Sequence, residues 1–192
     1  MDSYTLNTKP ILTLDDEQFF KLSQANPELK LERSPQENLI IMSPTGGETG
    51  NKNAELTGEF IIWNRQKKQG KVFDSSTGFK LPNGAIRSPD VAWVRLETWE
   101  QLPPQARQTF PNLAPDFILE LKSATDRLST LQAKLQEYVE NGVKLAWLIN
   151  PEEKQVEIYR QGKEKEVLEN PTTLSGENIL EDFCLDLSLI WV

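Results

Sequence analysis

Residues 115–150, PDFILELKSATDRLSTLQAKLQEYVENGVKLAWLIN, decide the fold. The segment 117–122 is a largely apolar run of strand length, and 144–149 is another. Between them, over 128–141, Leu128, Leu131, Leu135 and either Tyr138 or Val139 recur at helical spacing. Gly142 follows where a helix takes its left-handed C′ residue. Strand, helix and strand at this spacing read as a βαβ crossover, which sets two parallel strands side by side beneath one helix.

Working upstream, a helix is predicted over 13–24, with Thr13 as cap, Asp15, Asp16 and Glu17 in its first turn and Asn26-Pro27 as its stop. Strands over 29–33 and 39–42 flank a turn at Ser34-Pro35-Gln36-Glu37-Asn38. The loop Ser43-Pro44-Thr45-Gly46-Gly47 leads into a longer helix over 51–68, where Leu56, Phe60 and Trp63 at i, i+4 and i+7 mark a buried face. Runs 72–81 and 85–94 read as strands joined by a turn at Pro82-Asn83-Gly84. The segment 96–108, containing Pro103-Pro104, reads as a short helical or irregular insertion. Downstream, strands are expected over 155–160 and 164–168, the first forming a hairpin with 144–149. The apolar end, Leu189-Ile190-Trp191-Val192, is expected to pack on the body or on a partner. Strand–helix–strand order with hairpins on both sides implies an α/β (α+β) fold with a mixed central β-sheet flanked by helices. One domain over 1–192 is expected, with 1–38 as an N-terminal extension and 170–192 as a tail.

Composition narrows the chemistry. The chain has 192 residues, 38% hydrophobic and 26% charged, enough for a substantial core without covalent staples. It contains no histidine, which excludes histidine-based triads, histidine-ligated zinc and histidine general bases. Acid–base or metal work falls to Asp, Glu, Lys or Tyr. The one cysteine, Cys184, excludes an intramolecular disulfide and is expected to be a small core residue. Reduced cysteine usage, no leader pattern at Met1-Asp2-Ser3-Tyr4 and no run of membrane-spanning length point to a cytoplasmic chain. The net charge of −8 argues against coating nucleic acid by bulk electrostatics, but leaves room for a local site. The densest basic cluster, Arg65-Gln66-Lys67-Lys68-Gln69-Gly70-Lys71, reads as cations at a helix C-terminus.

The candidate chemistry lies in 89–122. Pro89-Asp90 opens one apolar run, and Glu120-Leu121-Lys122 closes another. With a side-chain period of two, Glu120 and Lys122 share a strand face about 7 Å apart, and Phe117, Leu119 and Leu121 share the other. Charges on an apolar strand are costly to bury unless paired or bound. Carboxylates from two rigid strands are what a hard divalent cation needs. The competing readings are a turn-capping role for Asp90 and a surface ion pair for Glu120 and Lys122. A second pair, Pro115-Asp116, reads as strand-entry geometry, and the hydroxyls of Ser123-Ala124-Thr125 as caps for the next helix.

In order along the chain, the following features resemble the PD-(D/E)XK nuclease superfamily, and within it the Uma-two branch of restriction-endonuclease-like proteins. They are Ser43 to Gly47 before a helix, Arg87-Ser88-Pro89-Asp90-Val91-Ala92-Trp93-Val94, Pro115 to Ser123, Lys134 to Tyr138, Asn141-Gly142-Val143 and Trp147-Leu148-Ile149-Asn150-Pro151. The resemblance implies a restriction-endonuclease-like domain that hydrolyses phosphodiester bonds, with nucleic acid, DNA first, as partner. It implies that Asp90, Glu120 and the Leu121 carbonyl bind Mg²⁺ or Mn²⁺, with Lys122 assisting the attacking water. Glu55 is the candidate for a further acidic ligand from the first long helix, with Glu48 and Glu59 as neighbours. Lys134 is an alternative catalytic lysine, because members of the branch use one from the next helix. Gln136 and Tyr138 stand where related nucleases place substrate-contacting side chains, and the fold's habit implies a homodimer. A catalytically idle binding or assembly module is the alternative.

Overall fold

The computed structural model describes residues 3–9 and 11–191. Thirteen strands and four α-helices follow one another among them. The centre is a six-stranded mixed sheet. Its strands are β4 (Gly70–Asp74), β7 (Val91–Arg95), β8 (Phe117–Leu121), β9 (Leu145–Asn150), β10 (Gln155–Arg160) and β11 (Glu166–Glu169), in the order β11-β10-β9-β8-β7-β4. Only β8 and β9 run parallel, with Phe117 opposite Leu145 and Leu121 opposite Ile149. Helix α4 (Leu128–Glu140) makes the crossover between them, as the strand–helix–strand pattern predicts.

Alternation along β8 separates two cores. Phe117, Leu119 and Leu121 pack with Trp93, Trp147 and the Leu56, Phe60 and Trp63 stripe of α2 (Gly47–Lys67). Ile118 faces the other way, with Ala92, Ala146 and Leu148, toward Leu135, Tyr138 and Val139 of α4. The central sheet is therefore covered by one helix on each face. Glu120, two residues after Ile118, emerges on the α4 face.

A second sheet of five strands stands beside the first. It has the order β1-β3-β2-β6-β5, from β1 (Ser3–Leu6), β2 (Lys30–Arg33), β3 (Leu39–Met42), β5 (Phe79–Lys80) and β6 (Ile86–Arg87). Helix α1 (Asp16–Ala25) covers one face, where Leu14 and Phe19 pack on Leu31, Leu39 and Ile86. A hairpin of β12 (Thr173–Ser175) and β13 (Cys184–Asp186) is followed by a short 3-10 turn, and Leu174, Leu185, Leu187 and Ile190 of this segment join the α2 core. The tail thus packs on the body, with Trp191 Nε1 donating to the Pro171 carbonyl; Val192 lies outside the described residues.

Several local expectations are corrected. The runs 72–81 and 85–94 are not two long strands. Each is divided between sheets, β4 and β7 pairing in the central one and β5 and β6 in the other. The Asp74 side chain accepts from the Ser76 N–H, bending the first run, and Pro89, with no N–H, interrupts the second. Gly78 sits against Phe110 so closely that a Cβ would stand 2.7 Å from its ring. The Pro82-Asn83-Gly84 turn is present, with Gly84 at φ +87° and its N–H donating to the Leu81 carbonyl.

Asp15 rather than Thr13 caps α1, in a capping box with Gln18. Helix α4 starts after Arg127 with no side-chain cap, because the hydroxyl and N–H of Ser123 both donate to Asp126. Cys184 is exposed, since alternation along β13 turns Leu185 inward instead. The short strands β1, β12 and β13 carry too little pattern to read in advance.

Candidate active site

The antiparallel register of β7 and β8 pairs Val91 with Leu119 and Ala92 with Ile118. One step further along that register, Asp90 stands across from Glu120. Directly opposed residues project to one face with Cβ atoms about 5 Å apart. Two carboxylates separated by thirty positions in the chain thus meet at one end of two inner strands of the central sheet. Both are buried, Asp90 at 7% and Glu120 at 5% exposure.

Asp90 is held from two sides. Its Oδ2 accepts from the Leu121 N–H at 2.9 Å, and its Oδ1 from Asn53 Nδ2 of α2 at a long 3.3 Å. Lys30 Nζ stands 4.0 Å from the same Oδ1. The Leu121 N–H faces β7 because the next N–H, that of Lys122, donates to the Ile149 carbonyl of β9 at 2.8 Å. A strand residue's carbonyl leaves on the same side as its N–H, so the Leu121 carbonyl leaves on the β7 side of the strand.

Glu120 meets α4. Its Oε1 accepts from Lys134 Nζ at 2.8 Å and from the Tyr138 hydroxyl at 3.3 Å. Lys134 and Tyr138 lie four apart on one helix face, with the ammonium 5.8 Å from the ring centre. Lys134 Nζ also reaches Glu32 Oε1 of β2 at 2.9 Å. Glu32 in turn accepts from the Ser88 N–H at 2.9 Å and from Arg87 Nη1 at 3.0 Å, and Arg87 Nε donates to Glu137 of α4 at 2.7 Å. Charges of alternating sign therefore run Glu120, Lys134, Glu32, Arg87, Glu137 across four elements, β8, α4, β2 and β6.

The electrostatics are unequal along that chain. Burial raises the Glu32 carboxyl, but Lys134, Arg87 and the Ser88 N–H outweigh it and hold Glu32 down to about 2. Burial pushes Glu120 up to about 7; Lys134 opposes this, while the Asp90 and Glu32 charges add to it. Burial would lower the Lys134 ammonium, yet Glu120 and Glu32 raise it, so it stays charged. The Tyr138 hydroxyl is raised by burial and by Glu120, and stays neutral. Glu120 is the carboxyl left short of positive charge.

Asp90, Glu120, Lys134, Glu32, Arg87 and Asn53 line one cavity of about 560 Å³ between the five-stranded sheet, the start of α2 and α4. Of the candidates named from sequence, Asp90, Glu120, Leu121 and Lys134 line it. Lys122 does not. It follows the last residue of β8, and its ammonium pairs with Glu152 at 2.6 Å in the turn after β9. Glu55 and Glu48 are exposed on α2, Glu59 is half-buried, and none of them lines the cavity. Gln136 is exposed and bonded to Glu140, and Tyr138 is buried beneath Glu120. Asp116 holds strand entry, accepting from the Arg95 N–H at 2.8 Å and from Lys144 at 2.6 Å.

Sequence reasoning missed Glu32, Arg87 and Asn53. Asn53 was findable. It lies three residues before Leu56 and seven before Phe60, a polar side chain on the buried stripe of α2. Glu32 was not, because Leu31, Glu32 and Arg33 are all buried and alternation gives no sign of it.

The donor set suits a small hard cation. Among the described residues no three or more of His, Cys, Asp and Glu converge as a complete metal cage. Two carboxylates and a backbone carbonyl match the partial, oxygen-only site that Mg²⁺ takes, with waters and phosphate oxygens completing it. The weakly engaged Asp90 Oδ1 and the undercompensated Glu120 are the groups a divalent charge would satisfy.

A mixed sheet between two helices, with opposed carboxylates at the ends of two inner strands and a lysine on the covering helix, is of the restriction-endonuclease-like class of fold. The Uma2 family, described as "Putative restriction endonuclease", matches residues 16–188, and the chain belongs to it. The fold is similar to that in the crystal structure of a protein titled a putative nuclease belonging to DUF820, from Anabaena variabilis. That similarity has a TM-score of 0.75 and 19% identity, over 94% of this chain and 97% of the other. No curated protein matches the chain.

Proposed function

We propose that the protein is a metal-dependent endonuclease that hydrolyses phosphodiester bonds of nucleic acid, with DNA as the first substrate to test. The observation that carries this reading is the meeting of Asp90, Glu120 and Lys134 in one cavity of a chain from a restriction-endonuclease family. Asp90, Glu120 and the Leu121 carbonyl would hold Mg²⁺ or Mn²⁺. Bound there, the cation would lower the pKa of the attacking water and offset charge on the scissile phosphate.

The chain's own groups do the rest. The Leu121 N–H and Asn53 fix the Asp90 carboxylate, and Tyr138 orients Glu120 from below. Lys134 keeps a charged ammonium at the cavity wall, where it donates to a non-bridging phosphate oxygen as negative charge builds. Water gives up a proton to solvent as it adds to phosphorus, the bond to the leaving oxygen breaks, and that oxygen takes up a proton from solvent. The pairing of Lys122 with Glu152, outside the cavity, favours Lys134 as the working lysine.

The test is nicking of supercoiled plasmid by purified protein with Mn²⁺ or Mg²⁺. Asp90→Ala and Glu120→Ala should abolish it. Lys134→Met should slow it by about 10²–10³-fold, the usual cost of removing one charge-stabilising donor. Lys122→Met should stay within about threefold of the parent per folded molecule, since its ammonium is held by Glu152 outside the cavity. Nicking that survives both carboxylate substitutions would overturn the assignment.

A further inference from the structure

We infer that Glu32, from the N-terminal sheet, is a positioning residue that holds Lys134 at the reacting phosphate while Glu120 serves the cation. The inference rests on the nuclease reading and adds a role outside the strand–helix–strand core.

Lys134 has two anionic partners, Glu120 Oε1 at 2.8 Å and Glu32 Oε1 at 2.9 Å. An ammonium has three donors, so the third is free to face the cavity that Lys134 lines. The two partners are built differently. Glu120 is the carboxyl beside Asp90, and a bound cation would compete with Lys134 for its oxygens. Glu32 is held instead by the protein. It is 2% exposed, and the Ser88 N–H and Arg87 each donate to it. Arg87 is itself pinned by Glu137 at 2.7 Å. The strand carrying Glu32 is paired on both edges, with β3 and with β6.

A long lysine stem has many rotamers, and a single movable partner would leave its ammonium undirected. Glu32 supplies a second contact that stays in place when Glu120 turns to the metal. Glu32 is an anchor rather than a ligand, because Ser88 and Lys134 engage one of its oxygens and Arg87 the other. Asp90 Oδ1, with only long contacts at 3.3 and 4.0 Å, is the contrasting case.

The experiment compares parent, Glu32→Gln, Lys134→Met and the double variant in plasmid nicking with Mn²⁺, with calorimetric Mn²⁺ titration of each. Glu32→Gln should lower kcat by about tenfold to 10²-fold, within the range of a misplaced catalytic group. Its KM for DNA and its Mn²⁺ affinity should stay within about threefold of the parent. The double variant should be no slower than Lys134→Met alone, because residues acting through one another are not additive. Glu32→Asp, which keeps the charge but shortens the reach, should fall between parent and Glu32→Gln, and it carries the test if the glutamine variant does not fold.

Multiplying losses in the double variant would overturn the proposal. So would a tenfold loss of Mn²⁺ affinity in Glu32→Gln, which would make Glu32 a ligand. Full activity of Glu32→Gln beside a dead Asp90→Ala would overturn it and leave the nuclease reading standing. A parent that never nicks would remove both.

Discussion

Two Pro-Asp pairs look alike in the sequence and differ in the folded chain. Asp90 lines the cavity and has an oxygen with only long contacts, whereas Asp116 is saturated by the Arg95 N–H and Lys144. Asp116→Ala should therefore destabilise the fold by about 1–3 kcal/mol, the cost of leaving a buried donor unsatisfied. Nicking per folded molecule should stay at the parental level. A denaturant titration beside the plasmid assay checks both halves, and a dead but stable Asp116→Ala would refute the distinction. The difference was not legible in the residues themselves. Which aspartate faces a cavity depends on where β7 and β8 pair, and register is a tertiary property. The same cause explains Lys122: a period of two put it beside Glu120, but β8 ends at Leu121 and the next turn supplies Glu152.

Among the elements, the strongly periodic ones were readable and the short ones were not. The Leu56, Phe60 and Trp63 stripe of α2 is buried as its spacing predicts, and the β8–α4–β9 crossover forms as its apolar runs predict. Burial of Phe60 is complete, and its ring stands 5.1 Å from Phe117 and 4.4 Å from Phe183. Phe60→Ala should cost about 3–5 kcal/mol, as large-to-small core changes do, and should shift the denaturation midpoint accordingly. A cost under about 1 kcal/mol would mean that α2 does not anchor this core. The division of 72–81 and 85–94 between two sheets escaped sequence reading because both halves of each run are apolar. Only the bend at Asp74 and the interruption at Pro89 separate them.

Over the whole molecule, α1 is joined to the five-stranded sheet by charges as well as by core. Asp16, in the first turn of α1, pairs with Arg33 of β2 at 2.6 Å and with Lys80 of β5. Burial raises its carboxyl, but Lys80 and Arg33 together outweigh that and hold it below the ordinary 3.8. A folded value below the unfolded one contributes stability that is complete above 3.8 and is lost as pH falls through the folded value. Asp16→Asn should thus melt below the parent at about pH 7 and converge with it near pH 2. Equal melting points at neutral pH would show that the pairs contribute nothing, as many exposed pairs do.

The same five-stranded sheet supplies Lys30, Glu32 and Arg87 to the cavity, so one arrangement serves both the fold and the site. No helix among the described residues is long and apolar enough to cross a membrane. Asp90 and Glu120, meeting across β7 and β8, are expected to take up a divalent cation. Calorimetric titration of the purified protein with Mn²⁺, beside Asp90→Asn and Glu120→Gln, tests that without relying on catalysis. We predict binding by the parent and at least a tenfold weaker affinity in each variant, about 1.4 kcal/mol or more. No heat of binding from the parent, or affinities in both variants equal to the parent's, would contradict it.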